Sequence, residues 1–259
     1  MHDWIAILKE EFDHPAIVLW RGIELRYIEE FFNKYELASP VLDLGCAEGK
    51  IADALFKNKT LVGLDNCWGL LSQNKKTGIY KALILADGCR MPFKKGTFGS
   101  VFSNCVIEHV PDIDTILSEV SLALREKGMF LFTVPSHKFA DFLFFTEVFN
   151  NLRLRRLAQW YGRRRNKQLN HFHCYDHLAW GRLLQEKGLR MLEYRYYMAQ
   201  KAVSAFDILA ALVVVLRSLW PLCYLVPKLN GWLEGYLRKF YNMDSQTGGA
   251  LLIVAQKGA

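Results

Sequence analysis

The ten residues VLDLGCAEGK, Val41 to Lys50, constrain this chain more than any other stretch. Val41-Leu42-Asp43-Leu44 reads as a short buried strand, Gly45 to Gly49 as a turn, and Ile51 to Phe56 as the start of a helix. A glycine turn between strand and helix presents backbone N–H groups at a helix N-terminus to a nucleotide-like ligand. The dinucleotide fingerprint G-x-G-x-x-G needs its middle glycine so that backbone can approach a pyrophosphate. Here the turn reads Gly45-Cys46-Ala47-Glu48-Gly49 and lacks that glycine. Asp43 and Glu48 also put negative charge where phosphates would sit. Both features disfavour NAD and ATP and suit a ligand with a positive centre and no phosphate.

The surrounding pattern repeats the strand-then-helix alternation. Ile23, Tyr27, Ile28, Phe31 and Phe32 recur at helical spacing, and Ser39-Pro40 ends that run. Leu61 to Leu64 reads as a second strand ending in Asp65, and Ala82 to Ala86 as a third ending in Asp87. Phe98 to Ser103 reads as a fourth, Ile113 to Leu124 as a helix, and Met129 to Val134 as a fifth strand. This alternation predicts an α/β fold, a doubly wound, mostly parallel sheet with helices on both faces. Ligands in such sheets bind beyond the carboxyl ends of the strands. Asp43, Asp65, Asp87 and Asn104 all lie at or near those ends.

The motifs DLGCAEGK, VGLDNC, LADGCRMPF and FGSVFSNCVIEHVPD, in that order and spacing, resemble the class I S-adenosylmethionine-dependent methyltransferase family, type 11 branch. The resemblance covers residues 38–135 well and the region to 198 more loosely. It implies S-adenosylmethionine as co-substrate, a cationic ligand without phosphate. It implies that backbone at Gly45, Cys46, Ala47 and Gly49 lines the methionine part and that Asp43 faces the ammonium, directly or through water. Asp65 would accept both ribose hydroxyls, Asn66 would flank the adenine, and Asp87 would accept from the adenine amino group with the Gly88 amide nearby. Asn104 would close the amino-acid end. The competing roles are local ones: a turn cap for Asp43, loop acids for Asp65 and Asp87, a turn residue for Asn104 and a space-filler for Cys46.

Methyl transfer from a sulfonium is an in-line displacement from an activated donor, so alignment carries much of the work, roughly 7–11 kcal/mol in well-oriented pairs. A base is optional. His109, after the fourth strand, and His173, in AsnHisPheHisCysTyrAsp, are the candidates for it, with His171 beside them. No metal site is expected, because two histidines need further ligands and Asp176 is better explained as the cap of a helix over Leu178 to Lys187 that ends near Gly188. No Pro-Pro-Tyr segment follows the fourth strand, which argues against a DNA-base acceptor.

The chain divides by pattern into an N-terminal helical segment (1–37), a donor-binding core (38–138), acceptor-side helices and strand (139–198), an apolar aromatic insert (199–247) and a last core strand (248–259). Strands are also expected at Leu192 to Met198 and Leu251 to Ala255. Residues 152–167, LRLRRLAQWYGRRRNK, hold seven basic residues and no acid, interleaved with Leu152, Leu154, Leu157 and Trp160. The insert is apolar from Ala202 to Val226, but Asp207, Arg217 and Pro221 interrupt it, leaving runs of about nine residues against the roughly 20 needed to span a bilayer. Trp232, Tyr236, Phe240 and Tyr241 follow, beside Lys228, Arg238 and Lys239. Aromatics beside cations suit a membrane interface. Lysine and arginine exceed aspartate and glutamate by seven, which suits an anionic partner.

The expectation is therefore a small, lipophilic or lipid-linked acceptor under a membrane-interface hairpin, with a buried helical cap or dimer face as the competing role of the insert. RNA or protein as acceptor, reached through the basic segment 152–167, is a second reading, although a nucleic-acid partner is not expected. A binding protein that keeps the fold without the chemistry is a third. The six scattered cysteines lack any CxxC pair, and the N-terminus carries acids where a secretory signal would be basic. Both point to a reduced, cytoplasmic setting, peripheral on the inner face of a membrane in the lipid reading.

Overall fold

The structure, a computed structural model, describes residues 2–56, 59–74, 78–219, 225–226, 228–241, 243 and 245–258. Pro221 and Cys223 lie outside the described residues.

The chain forms two compact units, each assembled from separated stretches of sequence. One comprises Phe32–Pro135, Asn170–Arg195 and Leu251–Ala259 and carries the sheet. Its strands β1 (Val41–Leu44), β2 (Leu61–Asp65), β3 (Tyr80–Leu85), β4 (Phe98–Asn104) and β5 (Leu124–Pro135) join β6 (Leu189–Tyr197) and β7 (Ala250–Lys257), which run on to the unit boundary. The order is β3-β2-β1-β4-β5-β7-β6, and β1 pairs in parallel with both β2 and β4. The order reverses at β1, so the turn that follows it opens at the topological switch point where such sheets bind ligands. Every residue of β1 is buried, as is all of β4 except Asn104, as strands covered on both faces require. Helices α3 (Lys50–Leu55), α4 (Trp68–Asn74), α5 (Ile113–Ala123) and α8 (His177–Glu186) complete this unit.

The expected cap of α8 is present, and α5 has one of the same kind. Asp176 accepts from the Ala179 N–H at the start of α8, and Asp112 does the same for α5 through Thr115. Strand β5 starts at Leu124, five residues before the expected Met129, because Leu124 pairs with Phe98 across a register shift and Lys127 takes a left-handed φ of 59° there. Helix α5 accordingly stops at Ala123. Neither the shift nor α4 has a periodic signature.

The other unit comprises Met1–Phe31, Ser136–Leu169 and Tyr196–Ala250. It holds α1 (Trp4–Glu11), most of α2 (Pro15–Lys34), α6 (Phe144–Asn151), α7 (Arg155–Gln168), α9 (Gln200–Ser218) and α10 (Leu229–Tyr241). The described residues of the insert include two helices, α9 and α10, whose inner faces are core. Ala202, Val203, Ala205, Leu209 and Val213 of α9 are buried, and Phe206 packs its ring on Trp20 at 5.1 Å. From α10, Asn230 Nδ2 donates to the carbonyls of Lys9 and Phe12, and Lys9 pairs with Glu234 at 2.8 Å. Asp207, which the sequence shows only as an interruption, is 1% exposed and accepts from Tyr161 Oη at 2.8 and 2.9 Å, with Arg165 Nε 3.2 Å away. This network ties α7 to α9, and it explains why a charge sits inside an apolar run.

Candidate active site

The turn after β1 takes the shape its glycines permit. Gly45 and Gly49 have φ of 77° and 80°, where L side chains are strained. A Cβ at Gly45 would collide with Val106, and one at Gly49 with the Asn74 carboxamide. Ala47, between them, also has a positive φ of 43°. That strained residue is held by two bonds. Its N–H donates to Asp65 Oδ2 at 3.0 Å, and its carbonyl accepts from Asn74 Nδ2 at 2.9 Å. Gly45 and Cys46 donate their N–H groups to the Leu64 carbonyl, which fastens the turn to the end of β2.

The acids fall where the strand ends put them. Asp65 is 9% exposed, and its carboxylate accepts from the Ala47 and Cys67 amides. A carboxylate offers about four lone-pair sites, so capacity for a vicinal diol remains beside those two bonds. Asp87 accepts from the Cys89 N–H at 2.9 Å after β3. Asn66 is exposed next to Asp65. Gly88 lies against Ile116 and Leu44, where a Cβ would press on both side chains. Asn104 donates from Nδ2 to Thr133 Oγ1 at 2.7 Å, so its amide is oriented by β5.

Asp43 is held differently from a carboxylate open to solvent. It is 4% exposed and accepts from Tyr80 Oη at 2.5 Å. Burial pushes its carboxyl up to about 7, the Tyr80 bond opposes that, and the Asp65 charge adds to it. A cation arriving at this end of the sheet would meet a carboxyl poised to give up its proton. Cys46 is buried, and desolvation followed by the charges of Asp43 and Asp65 drives its thiol well above the ordinary range, so it fills space and is not a nucleophile.

After β4 the chain turns through Cys105, whose φ is 52°, into a single 3-10 turn, Ile107–His109. Residues 170–173 lie along this turn. Phe172 N–H donates to the Glu108 carbonyl at 2.8 Å, His109 Nδ1 meets the Asn170 carbonyl at 3.1 Å, and His173 Nε2 meets the Val110 carbonyl at 2.9 Å. His173 Nδ1 bonds Tyr175 Oη at 3.0 Å. Both ring nitrogens of His173 are thereby engaged and the ring is buried, which makes it a latch between the two segments. His109 is on the surface, with Nδ1 taken by a carbonyl and Nε2 3.8 Å from Glu108 Oε1. Its ring stacks on His171 at 5.5 Å and 29°. Burial, then the Glu108 charge, pushes the nearby Cys174 thiol up to about 12.

The structure thus brings Asp43, the Gly45–Gly49 turn and Asp65 together, and separately joins His109 to His171 and Glu108. Tyr80, Asn74, Val106 and Glu108 were not singled out by sequence. Glu108 alone carried a signal, as the acid beside His109; the other three act across elements and leave none.

A glycine turn at the switch point, an acid at the end of β2 and another after β3 mark the ligand end of a doubly wound α/β sheet. Residues 42–132 match the family model described as a methyltransferase domain, and the seven-stranded sheet matches the fold of class I methyltransferases of known structure. Among curated proteins, the malonyl-[acyl-carrier protein] O-methyltransferase of Legionella pneumophila is 31% identical over 99 residues, 36% of this chain and 35% of that protein. The mitochondrial arginine-hydroxylase NDUFAF5 of Homo sapiens is 34% identical over 94 residues, 35% of this chain and 27% of that protein. The matches thus span about a third of these relatives' lengths. Among solved structures, Haemonchus contortus phosphoethanolamine N-methyltransferase 2 in complex with S-adenosyl-L-methionine aligns with TM-score 0.57 at 18% identity, over 91% of this chain and 52% of that one.

Proposed function

We propose that this chain transfers a methyl group from S-adenosylmethionine to a small lipophilic or lipid-linked acceptor. The observation that carries the donor half is the bond from Ala47 N–H to Asp65: one carboxylate clamps the glycine turn and keeps lone pairs for a ribose diol. S-adenosylmethionine supplies an electrophilic methyl on a sulfonium. The chain's residues hold its amino-acid end on the Gly45–Gly49 turn, its ribose on Asp65 and its adenine between Asn66, Asp87 and Gly88. Asp43 acts on the ammonium as a buried charge rather than as a direct partner. No general base is assigned among the histidines, since His173 has both nitrogens bonded.

The acceptor half rests on surface chemistry. In the helical unit Leu152, Leu154, Leu157 and Trp160 are exposed among Arg153, Arg155, Arg156 and Arg164, and Arg164 lies 5.5 Å over the Trp160 ring. Apolar side chains among arginines suit an anionic lipid surface. A cleft of about 370 Å³ between α6 and α7, lined in part by Asn150, Arg155, Gln159, Arg163 and Asn166, offers donors for a phosphate-like headgroup. Trp232 of α10 and Val214 and Val215 of α9 add exposed apolar surface. Among the described residues no helix is long and apolar enough to cross a membrane.

The arginine-hydroxylase relative favours a second reading, in which the same core serves another reaction. Transfer of label from [methyl-³H]S-adenosylmethionine into an organic-extractable lipid fraction separates the two. Asp65→Ala is expected to remove that transfer together with calorimetric binding of S-adenosylhomocysteine. Unchanged affinity in Asp65→Ala would refute the donor assignment, and bound donor with no transfer to any acceptor fraction would favour the second reading.

A further inference from the structure

We propose that Glu108, His109 and His171 form a binding site for one divalent cation of the zinc class, a site no part of the donor reading requires. Among the described residues these three are the set whose ligand atoms, one from each, all lie within 4.8 Å of one another. Two imidazoles and one carboxylate is a ligand set that takes zinc while leaving a position open.

Two features of the geometry point the same way, around a Glu108 side chain that is 1% exposed. His109 Nδ1 faces the Asn170 carbonyl, which can only accept, so Nδ1 is the donor and Nε2, on the Glu108 side, is the nitrogen that the neutral imidazole would offer a metal. A backbone carbonyl behind one ring nitrogen is the arrangement that orients metal-ligating histidines. Lastly, the Phe172 to Glu108 and His173 to Val110 backbone bonds fix the 170–173 segment against the 3-10 turn, which sets His171 over His109. Ligand atoms around a tetrahedral zinc sit about 3.4 Å apart given bonds near 2.1 Å. The 3.8 Å between His109 Nε2 and Glu108 Oε1 is close to that, and the His171 ligand atom lies within 4.8 Å of both.

The site follows directly on β4, at the carboxyl end of the sheet. An ion there would keep a coordination position for an oxygen or nitrogen of the acceptor and lower its pKa, the task otherwise given to a base. Only this role, not the site, rests on the reading of the chain as a methyltransferase.

The test is calorimetric titration of zinc chloride into the full chain after dialysis against EDTA and then metal-free buffer. Wild type and His137→Ala, a histidine of the helical unit, are expected to bind one equivalent. His109→Ala and His171→Ala are each expected to weaken that binding by tenfold or more, and to lose the visible absorption of the cobalt(II) form. His109 is on the surface, so its variant carries the test if a buried substitution such as Glu108→Gln unfolds the chain. Absence of one-equivalent binding in wild type, or binding that survives loss of either histidine, overturns the proposal. S-adenosylhomocysteine affinity read on the same variants reports on the donor site separately.

Discussion

Replacing Asp43 by asparagine removes an ionisation that the fold makes costly. The carboxyl has an ordinary value of 3.8 and is pushed to about 7 where it sits, chiefly by burial. Between those two values the folded chain holds a proton that the unfolded chain has released. Stability therefore falls as pH rises from about 4 to 7 and levels off above. The span is about three pH units at 1.36 kcal/mol each, so ionised Asp43 costs the empty protein about 4 kcal/mol at pH 8. Asparagine keeps an oxygen for the Tyr80 hydroxyl and carries no charge. Asp43→Asn should match wild type in urea unfolding below about pH 4, exceed it by about 1–2 kcal/mol near pH 5 and by up to about 4 kcal/mol at pH 8. Donor binding should move the opposite way. A cationic amino-acid end stabilises the ionised carboxyl, so wild-type affinity for S-adenosylhomocysteine should rise through pH 7, with about half a proton released per site at pH 7. Calorimetry in two buffers of different ionisation enthalpy reads that proton. A stability difference between variant and wild type that does not change with pH, together with a pH-independent affinity, would refute the reasoning.

Two further outcomes follow from the helical unit. Asp207→Ala removes the acceptor shared by Tyr161 and Arg165 and leaves a mostly buried guanidinium without its carboxylate; a loss of about 3 kcal/mol is expected, and a loss under 1 kcal/mol in denaturant unfolding would contradict the network's role. Charge reversal at Arg155 and Arg156 with Trp160→Ala should release the protein from floated vesicles containing phosphatidylglycerol while leaving the thermal midpoint within a few degrees, because all three side chains are exposed; continued flotation would count against α7 as the contact.

The placement of the glycine turn and of the strand-end acids was legible because it is written in the local sequence. Gly45 and Gly49 need φ near 80°, and the acids of β2 and β3 come at the strand ends, so spacing alone places them. What was illegible acts across elements. Tyr80 reaches Asp43 from two strands away, and Asn74 reaches Ala47 from a helix with no motif. The start of β5 was missed because a bulge carries pairing through the charged Arg125-Glu126-Lys127. Composition suggested an interface hairpin for the insert, but apolar residues at helical spacing serve a core equally well, and α9 and α10 spend their inner faces on one.

That last point decides how the membrane question can be asked. Deleting 203–240 would remove Ala205, Leu209 and Val213, the Asp207 network and the Asn230 bonds to α1 in one step. Release from lipid after such a deletion would report unfolding. The exposed residues Val214, Val215 and Trp232 can be changed without touching that core. A lipid role for the insert is separable from its packing role at exposed positions such as these. If changing all three to serine leaves flotation intact while the α7 substitutions abolish it, the basic helix is the contact and the insert is a cap.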